Sequence, residues 1–290
     1  MKKNLSLFLL LVLTACSSAA PVPPTVTPTA TATAIPTHTP LPTATLTSTP
    51  VPSGACESPL LPLSTGNQWT YRVTTDDGES TYALKTLERD DGRNTVIKVE
   101  FTDQKNNVSV VEPVVCIDSA IENFPLFVVS MYFSGYLEKD FNTYHDSGTY
   151  APNYDILDFN HWSMHWDMYY LTEDTAQLIN PTDGQSLFVL QSSFIEMSFT
   201  LDGTREAVTV PAGDFPNALK AGYTFSFPVT IVLQDAMTGG TLTVKTTQWY
   251  EPYVGLVRAK VDSTSLRFYG QSVPMQLNSL IELVEFERGE

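Results

Sequence analysis

The chain has 290 residues, of which 32 are acidic and 16 basic, for a formal net charge of −16. A surface this acidic repels nucleic acid and anionic headgroups, which excludes electrostatic binding to either. The three cysteines, Cys16, Cys56 and Cys116, contain no Cys-x-x-Cys spacing, so a dithiol redox motif is absent.

Lys2 and Lys3 precede an apolar run from Leu5 to Leu13, broken only by Ser6. The run falls well short of the ~20 residues of a spanning helix. Small residues follow it, so residues 1–15 read as a secretory signal peptide. Its end, Leu13-Thr14-Ala15-Cys16, is similar to the lipobox of bacterial lipoproteins. The resemblance implies cleavage before Cys16, a diacylglycerol on the Cys16 thiol, and an acyl chain such as palmitate on the new amino terminus. It places the protein, lipid-anchored, on the extracytoplasmic face of the cell membrane or outer membrane. Ser17 is not the retention signal known in two-membrane bacteria, so both membranes stay open. Several acyl chains hold stably because each buried CH₂ contributes ~0.8 kcal/mol. Losing residues 1–15 removes two lysines and leaves 14 basic residues against 32 acidic ones, net −18. The alternative is a soluble secreted protein whose Cys16 is incidental.

Lipidation of Cys16 leaves Cys56 and Cys116 as one even pair in an oxidising compartment. A Cys56–Cys116 disulfide closes a loop of about 60 residues, worth ~4 kcal/mol in the chain-entropy model. Two buried free thiols are the alternative.

Residues 17–55 hold 9 Pro and 11 Thr and no charged residue. They have too few large apolar groups for a core, and Pro removes backbone donors. Residues 16–55 are therefore expected to be the lipidated cysteine and a disordered linker, extended at up to ~3.1 Å per residue to ~100 Å. The Thr density suits O-glycosylation.

Residues 56–290 are ample for one β-rich domain. Trp69, Tyr71 and Val73 alternate with polar residues, as do Ile97, Val99 and Phe101, which predicts a sheet with one wet face. Asp77-Gly78, Asp91-Gly92, Asp183-Gly184, Asp202-Gly203 and Gly239-Gly240 supply the positive φ that hairpin turns require. Predicted strands are 68–75, 80–88, 93–102 and 107–117, then 186–200, 205–211, 219–234, 241–250, 254–263 and 279–287, the last with a mixed pattern that also fits a short helix but favours a strand through Ile281, Val284 and Phe286. So many antiparallel strands must curl or fold over to protect their edges. One or two short helices are expected over the concave face.

Three stretches carry a second resemblance: Pro62-Leu63-Ser64-Thr65-Gly66-Asn67-Gln68-Trp69-Thr70-Tyr71, Val210-Pro211-Ala212-Gly213-Asp214-Phe215, and Trp249-Tyr250-Glu251-Pro252-Tyr253-Val254-Gly255-Leu256-Val257. Together they are similar to a set of uncharacterised bacterial envelope lipoproteins, although Glu251 and Tyr253 stand where small residues are usual. The resemblance implies a curled antiparallel half-barrel like that of lipoprotein carriers, with no catalytic residues. In physical terms Pro211 ends a strand, Gly213 permits a tight turn, Phe215 anchors it, and Gly255 admits a neighbour close to Trp249.

The middle of the domain is the least ordinary part. Residues 124–170 hold 14 of the 32 aromatics, and six acids against one Lys. A strand over 158–170 puts Trp162, Met164, Trp166 and Met168 on one face and His161, Ser163, His165 and Asp167 on the other. His161, His165 and a carboxylate are metal-ligand types, but the spacing matches no metal motif, so no metal or other cofactor is assigned. The aromatic face reads either as core or as a platform for a small molecule, lipid or glycan, lined by Trp162, Trp166 and Tyr169. No nucleophile elbow, phosphate loop, zincin motif or calcium loop occurs, so no catalytic residue is assigned.

The leading expectation is thus a membrane-anchored lipoprotein that binds a ligand or partner through its concave face without catalysis. A carboxylate-dependent polysaccharide hydrolase and a purely structural surface protein are the alternatives. Oligomeric state is not legible.

Overall fold

A computed structural model describes residues 57–91, 95–105, 107–117, 120–121, 131–132, 144–148, 163–172, 176–179, 186–190, 193–233, 236–275 and 277–289. All belong to the compact unit Pro50–Glu290. The signal peptide, Cys16, the linker and Cys56 lie outside the described residues.

The described strands are β1 (Glu57–Ser58), β2 (Leu61–Pro62), β3 (Gln68–Thr75), β4 (Gly78–Asp91), β5 (Thr95–Asp103), β6 (Val108–Ile117), β7 (Ala120–Ile121), β8 (Tyr144–Gly148), β9 (Ser163–Thr172), β10 (Ala176–Ile179), β11 (Ser186–Leu190), β12 (Ser193–Val210), β13 (Gly213–Leu233), β14 (Ala236–Glu251), β15 (Gly255–Phe268), β16 (Gln271–Met275) and β17 (Ser279–Glu287). β1 and β2 form a short hairpin. The others make one antiparallel sheet in the order β7-β6-β5-β4-β3-β17-β15-β14-β13-β12-β9-β8, with β16 beside β15 and β11 joining β10 to β13. The path does not return on itself, so the sheet is a curled, open wall and not a closed barrel. β17 sits between β3 and β15, joining the opening meander to the later strands.

Alternation decides which face is inside. Trp69, Tyr71 and Val73 of β3, Ile97 and Val99 of β5, Val257 and Ala259 of β15, and Ile281 and Leu283 of β17 are all buried, and they form one core with Tyr223 and Phe225 of β13. At 21 residues, β13 would run ~70 Å if straight. Bulges in its neighbours at Leu201/Arg205, Glu206/Val208 and Lys245/Thr246 bend the wall instead.

Two expected turns are not turns. Asp202-Gly203 lies inside β12, where Gly203 has φ 79 and Thr204 N donates to Asp202 Oδ1 at 2.9 Å, so the glycine serves a bulge. The reversal comes later, at Pro211-Ala212, where Val210 pairs Gly213. Gly239-Gly240 lies inside β14, opposite Thr230 and Val229. A Cβ on Gly240 would fall 2.9 Å from the Arg267 carbonyl and from Ile231 Cδ1, so close approach is what selects that glycine.

Helix among the described residues is limited to Met131 and Tyr132. Both are buried, and the Tyr132 ring lies 5.6 Å from that of Phe225, so this part of the middle stretch covers the inner face. β8 and β9, from the same stretch, extend the sheet beyond β12.

Candidate functional site

The three stretches singled out in the sequence are scaffolding, and two of them meet at Trp69. Its indole Nε1 donates to the Val254 carbonyl at 2.6 Å, and Tyr71 Oη donates to the Leu256 carbonyl at 3.1 Å. A Cβ on Gly255, which has φ +94, would lie within 4 Å of Pro62 Cδ, the Leu60 carbonyl and Trp69 Nε1. The close neighbour that Gly255 admits is therefore Trp69 with the β1–β2 hairpin, and not Trp249. Asn67 ties the same corner by donating to the Pro62 carbonyl at 2.8 Å and accepting from Gly289 N at 2.9 Å. At the Pro211 turn, Ala212 N donates to the Leu283 carbonyl at 3.1 Å, and Phe215 packs on the core.

Of the residues proposed to line a site, Trp162 lies outside the described residues. On β9, position 166 is paired with Phe199, and positions 164 and 168 with Leu201 and Met197, all three buried residues of β12. Position 169 is paired with Glu196, and position 165 with exposed Thr200. Positions 166 and 169 are an odd number of residues apart and so fall on opposite faces of the strand. His161 lies outside the described residues. Among the described residues no three His, Cys, Asp or Glu side chains are grouped to hold a metal. Cys116 is buried on β6, paired in register with Thr95 and Ile121.

The inner face of β12–β14 carries a polar cluster that motif reading missed. Gln248 and Thr246 are buried on β14 among Phe199, Tyr223, Phe225 and Tyr132. Gln248 Nε2 donates to Tyr132 Oη at 2.5 Å and to Thr246 Oγ1 at 3.4 Å, while its Oε1 accepts from Tyr250 Oη. Thr246 Oγ1 donates to the Tyr223 carbonyl at 3.3 Å, and Tyr223 Oη meets Met197 Sδ at 3.3 Å. Ring centroids stand 5.8 Å apart for Phe199–Tyr223 and 6.0 Å for Phe199–Tyr250, both edge-on. Burial holds the Tyr132 hydroxyl well above the usual tyrosine range, so it stays neutral and serves as a hydrogen-bonding group. The cluster contains no nucleophile paired with a base. It offers aromatic faces and a neutral amide.

The opposite face carries an ordered row of charge. Lys220, Trp249, Arg258, Glu282 and Arg72 stand in register across β13, β14, β15, β17 and β3. Glu206 accepts from Trp249 Nε1 at 2.9 Å and pairs with Lys220 at 2.5 Å, and Arg72 pairs with Glu282 at 2.8 Å. Arg258 and Lys260 lie 5.6 and 5.9 Å from the Trp249 ring, within cation–π range. Singly these charges look like a solvated face, and only the register reveals the row. Glu251, half-buried at the end of β14, is held above the ordinary carboxylate range by burial.

No family model matches the sequence, and no curated protein matches it. Similar solved structures include a protein described as exported, with a YmcC-like fold, from Bacteroides fragilis: 16% identity over 78% of this chain and 97% of that one, TM-score 0.41. Another is described as a lipoprotein from Parabacteroides distasonis, with 16% identity, the same coverage and a TM-score of 0.40.

Proposed function

We propose that the protein is a lipid-anchored extracytoplasmic lipoprotein whose curled sheet binds a small-molecule, lipid or glycan ligand on its inner face without catalysis. The observation that carries the ligand reading is the cluster of Gln248, Thr246, Tyr250 and Tyr132 set among aromatic rings on that face. An apolar wall with a few fixed polar groups is the usual composition of a ligand site. Trp162 and Trp166 belong to the same proposed lining, whereas Tyr169 sits at an opposite-face position. The anchor rests on Lys2, Lys3, the apolar run and the lipobox ending at Cys16. A Cys56–Cys116 disulfide belongs to the same reading, supported by the buried position of Cys116 and by Cys56 directly preceding β1.

A purely structural role is the competing reading, favoured by one observation: the Gln248 amide already spends its oxygen and its nitrogen within the protein. Intrinsic fluorescence of the full chain, titrated with phospholipid, fatty acid and oligosaccharide panels, separates the two. Ligand binding predicts a saturable emission change that Gln248→Ala weakens. An unchanged emission across all three panels, with Gln248→Ala merely lowering Tm, establishes the structural role.

A further inference from the structure

We infer that the outer face of β13–β15 is a ridge that binds a linear acidic polysaccharide. Residues 215–281 hold five basic residues and three acids, in a chain with 16 basic residues and 32 acids. All five cations fall on one face. Arg267 stands opposite Thr241, Lys260 opposite Thr247, and Arg258 opposite Trp249, which also faces Lys220. Positions 241, 245, 247 and 249 of β14 share one side of the pleat, so Lys245 belongs to the same line. From Thr241 to Trp249 the line runs about 27 Å, at ~3.4 Å per residue.

The three acids do not neutralise it. Asp235 precedes β14 and Glu251 ends it, beyond either end of the line. Asp262, the extra residue of a bulge in β15, accepts from Thr247 Oγ1 at 2.5 Å and pairs with Lys260 at 3.2 Å. From flanking strands, Glu206 pairs with Lys220 and Glu282 with Arg72. The side chains of Lys245, Arg258 and Arg267 have no ion-pair or hydrogen-bond partner among the described residues. Lys245 and Arg267 are exposed. Arg258 lies over Trp249, a ring 7% exposed, and its Nε is buried without an acceptor.

Charge and shape select the occupant. A guanidinium fork matches a carboxylate, and cations spaced along a strand axis match an extended chain that repeats its carboxylates. Thr243, Ser263 and Ser265 share the face and can meet sugar hydroxyls. Gly222, opposite Thr247, leaves open space where a side chain would stand, and its φ is not positive. The missing side chain keeps the face low for a close approach. Charges beyond about 8 Å are screened at physiological ionic strength, so a thin chain on the ridge escapes the acidic remainder of the surface. A duplex or a headgroup layer is too broad to escape it. The described residues of the line include no exposed aromatic on which bases could stack. The ridge lies on the face opposite the Gln248 cluster and does not rest on the inner-face reading.

The test uses the full chain carrying Cys16→Ser and calorimetric titration with a linear galacturonate oligomer long enough to span the ridge. A neutral dextran oligomer and single-stranded oligothymidylate of matched length are the comparisons. Galacturonate is expected to bind, more weakly as salt rises, and dextran is not. Lys245→Gln with Arg267→Gln is expected to weaken binding about fivefold at unchanged Tm, and adding Arg258→Gln brings the loss above about tenfold. Lys105→Gln, in the β5–β6 turn four strands from β15, is expected to leave the affinity unchanged. Absence of galacturonate binding overturns the inference, as does an equal loss from Lys105→Gln or tighter binding of oligothymidylate. So does a concentration-dependent dimer without polymer that Arg258→Gln abolishes, because the occupant is then the acidic surface of a second copy.

Discussion

Trp69 Nε1 reaches across 185 residues of sequence to donate to the Val254 carbonyl at 2.6 Å. The bond fastens β3 to the turn that opens β15, and the Trp69 ring also stacks on Phe286 at 5.4 Å. Trp69→Phe keeps most of the ring but strands the carbonyl, and is expected to cost ~1–3 kcal/mol in a denaturant titration. Trp69→Ala, at a position 1% exposed, is expected to cost ~3–5 kcal/mol. A Trp69→Phe protein as stable as the parent would show that the bond contributes nothing.

Gly255→Ala tests the same corner from the other side. The residue must hold φ +94, and its Cβ would lie 3.3 Å from Pro62 Cδ. Strain and crowding together are expected to cost ~1–3 kcal/mol. Gly222→Ala is the matched control, since its φ is not positive and no atom lies within 4 Å of a Cβ there.

Tyr132→Phe leaves a Gln248 donor buried without its partner at a cost of ~1–3 kcal/mol. Gln248→Leu alone removes one hydrogen bond from each of the Tyr132 and Tyr250 hydroxyls. A double-mutant cycle on Tyr132 and Gln248 is therefore expected to show favourable coupling of ~0.5–3 kcal/mol, measured by chemical denaturation. Zero coupling would mean that Tyr132 does not sit on Gln248 in solution.

Glu206 and Glu251 make opposite predictions for pH. The hydrogen bonds that Glu206 accepts from Lys220 and Trp249 lower its folded pKa. Its contribution is present above the unfolded-state pKa and is lost as pH falls through the depressed folded one. Burial raises the folded pKa of Glu251, so its contribution is present below the unfolded-state pKa and is lost as pH rises through the folded one. Melting curves from pH 3 to 7 should show Glu206→Gln flattening the acid loss of stability. Glu251→Gln should raise Tm most at neutral pH.

Cys16→Ser is expected to release the protein from membranes or stall its processing, read by fractionation and mass. Unchanged membrane association with normal processing would place the anchor elsewhere.

Much of the sheet was legible because alternation writes it locally. β3 matches its predicted bounds, 68–75, and so does β17, 279–287. Turn glycines were less legible, because Gly203 in a bulge and Gly240 under Arg267 carry the same residue type as a hairpin turn. What a glycine makes room for is a tertiary fact, hence the reassignment of the Gly255 neighbour from Trp249 to Trp69. The Gln248 cluster left no motif, since a Gln between Thr247 and Trp249 looks like any wet-face residue. The outer row was hidden for a related reason: pairing across five strands brings Lys220 and Arg72 into one line.

The place of β17 has a consequence for the order of events in making this protein. Arg72 and Glu282 are 210 residues apart in sequence, and the strand that carries Glu282 is the one seated between β3 and β15. At ~5–20 residues per second, a ribosome finishes β17 about 10–40 s after β3. Throughout that interval β3 has no neighbour on one side, and a sheet built from such distant pairings closes slowly. The wall is therefore complete only when nearly the whole chain has been made, although β3 to β6 can pair among themselves earlier.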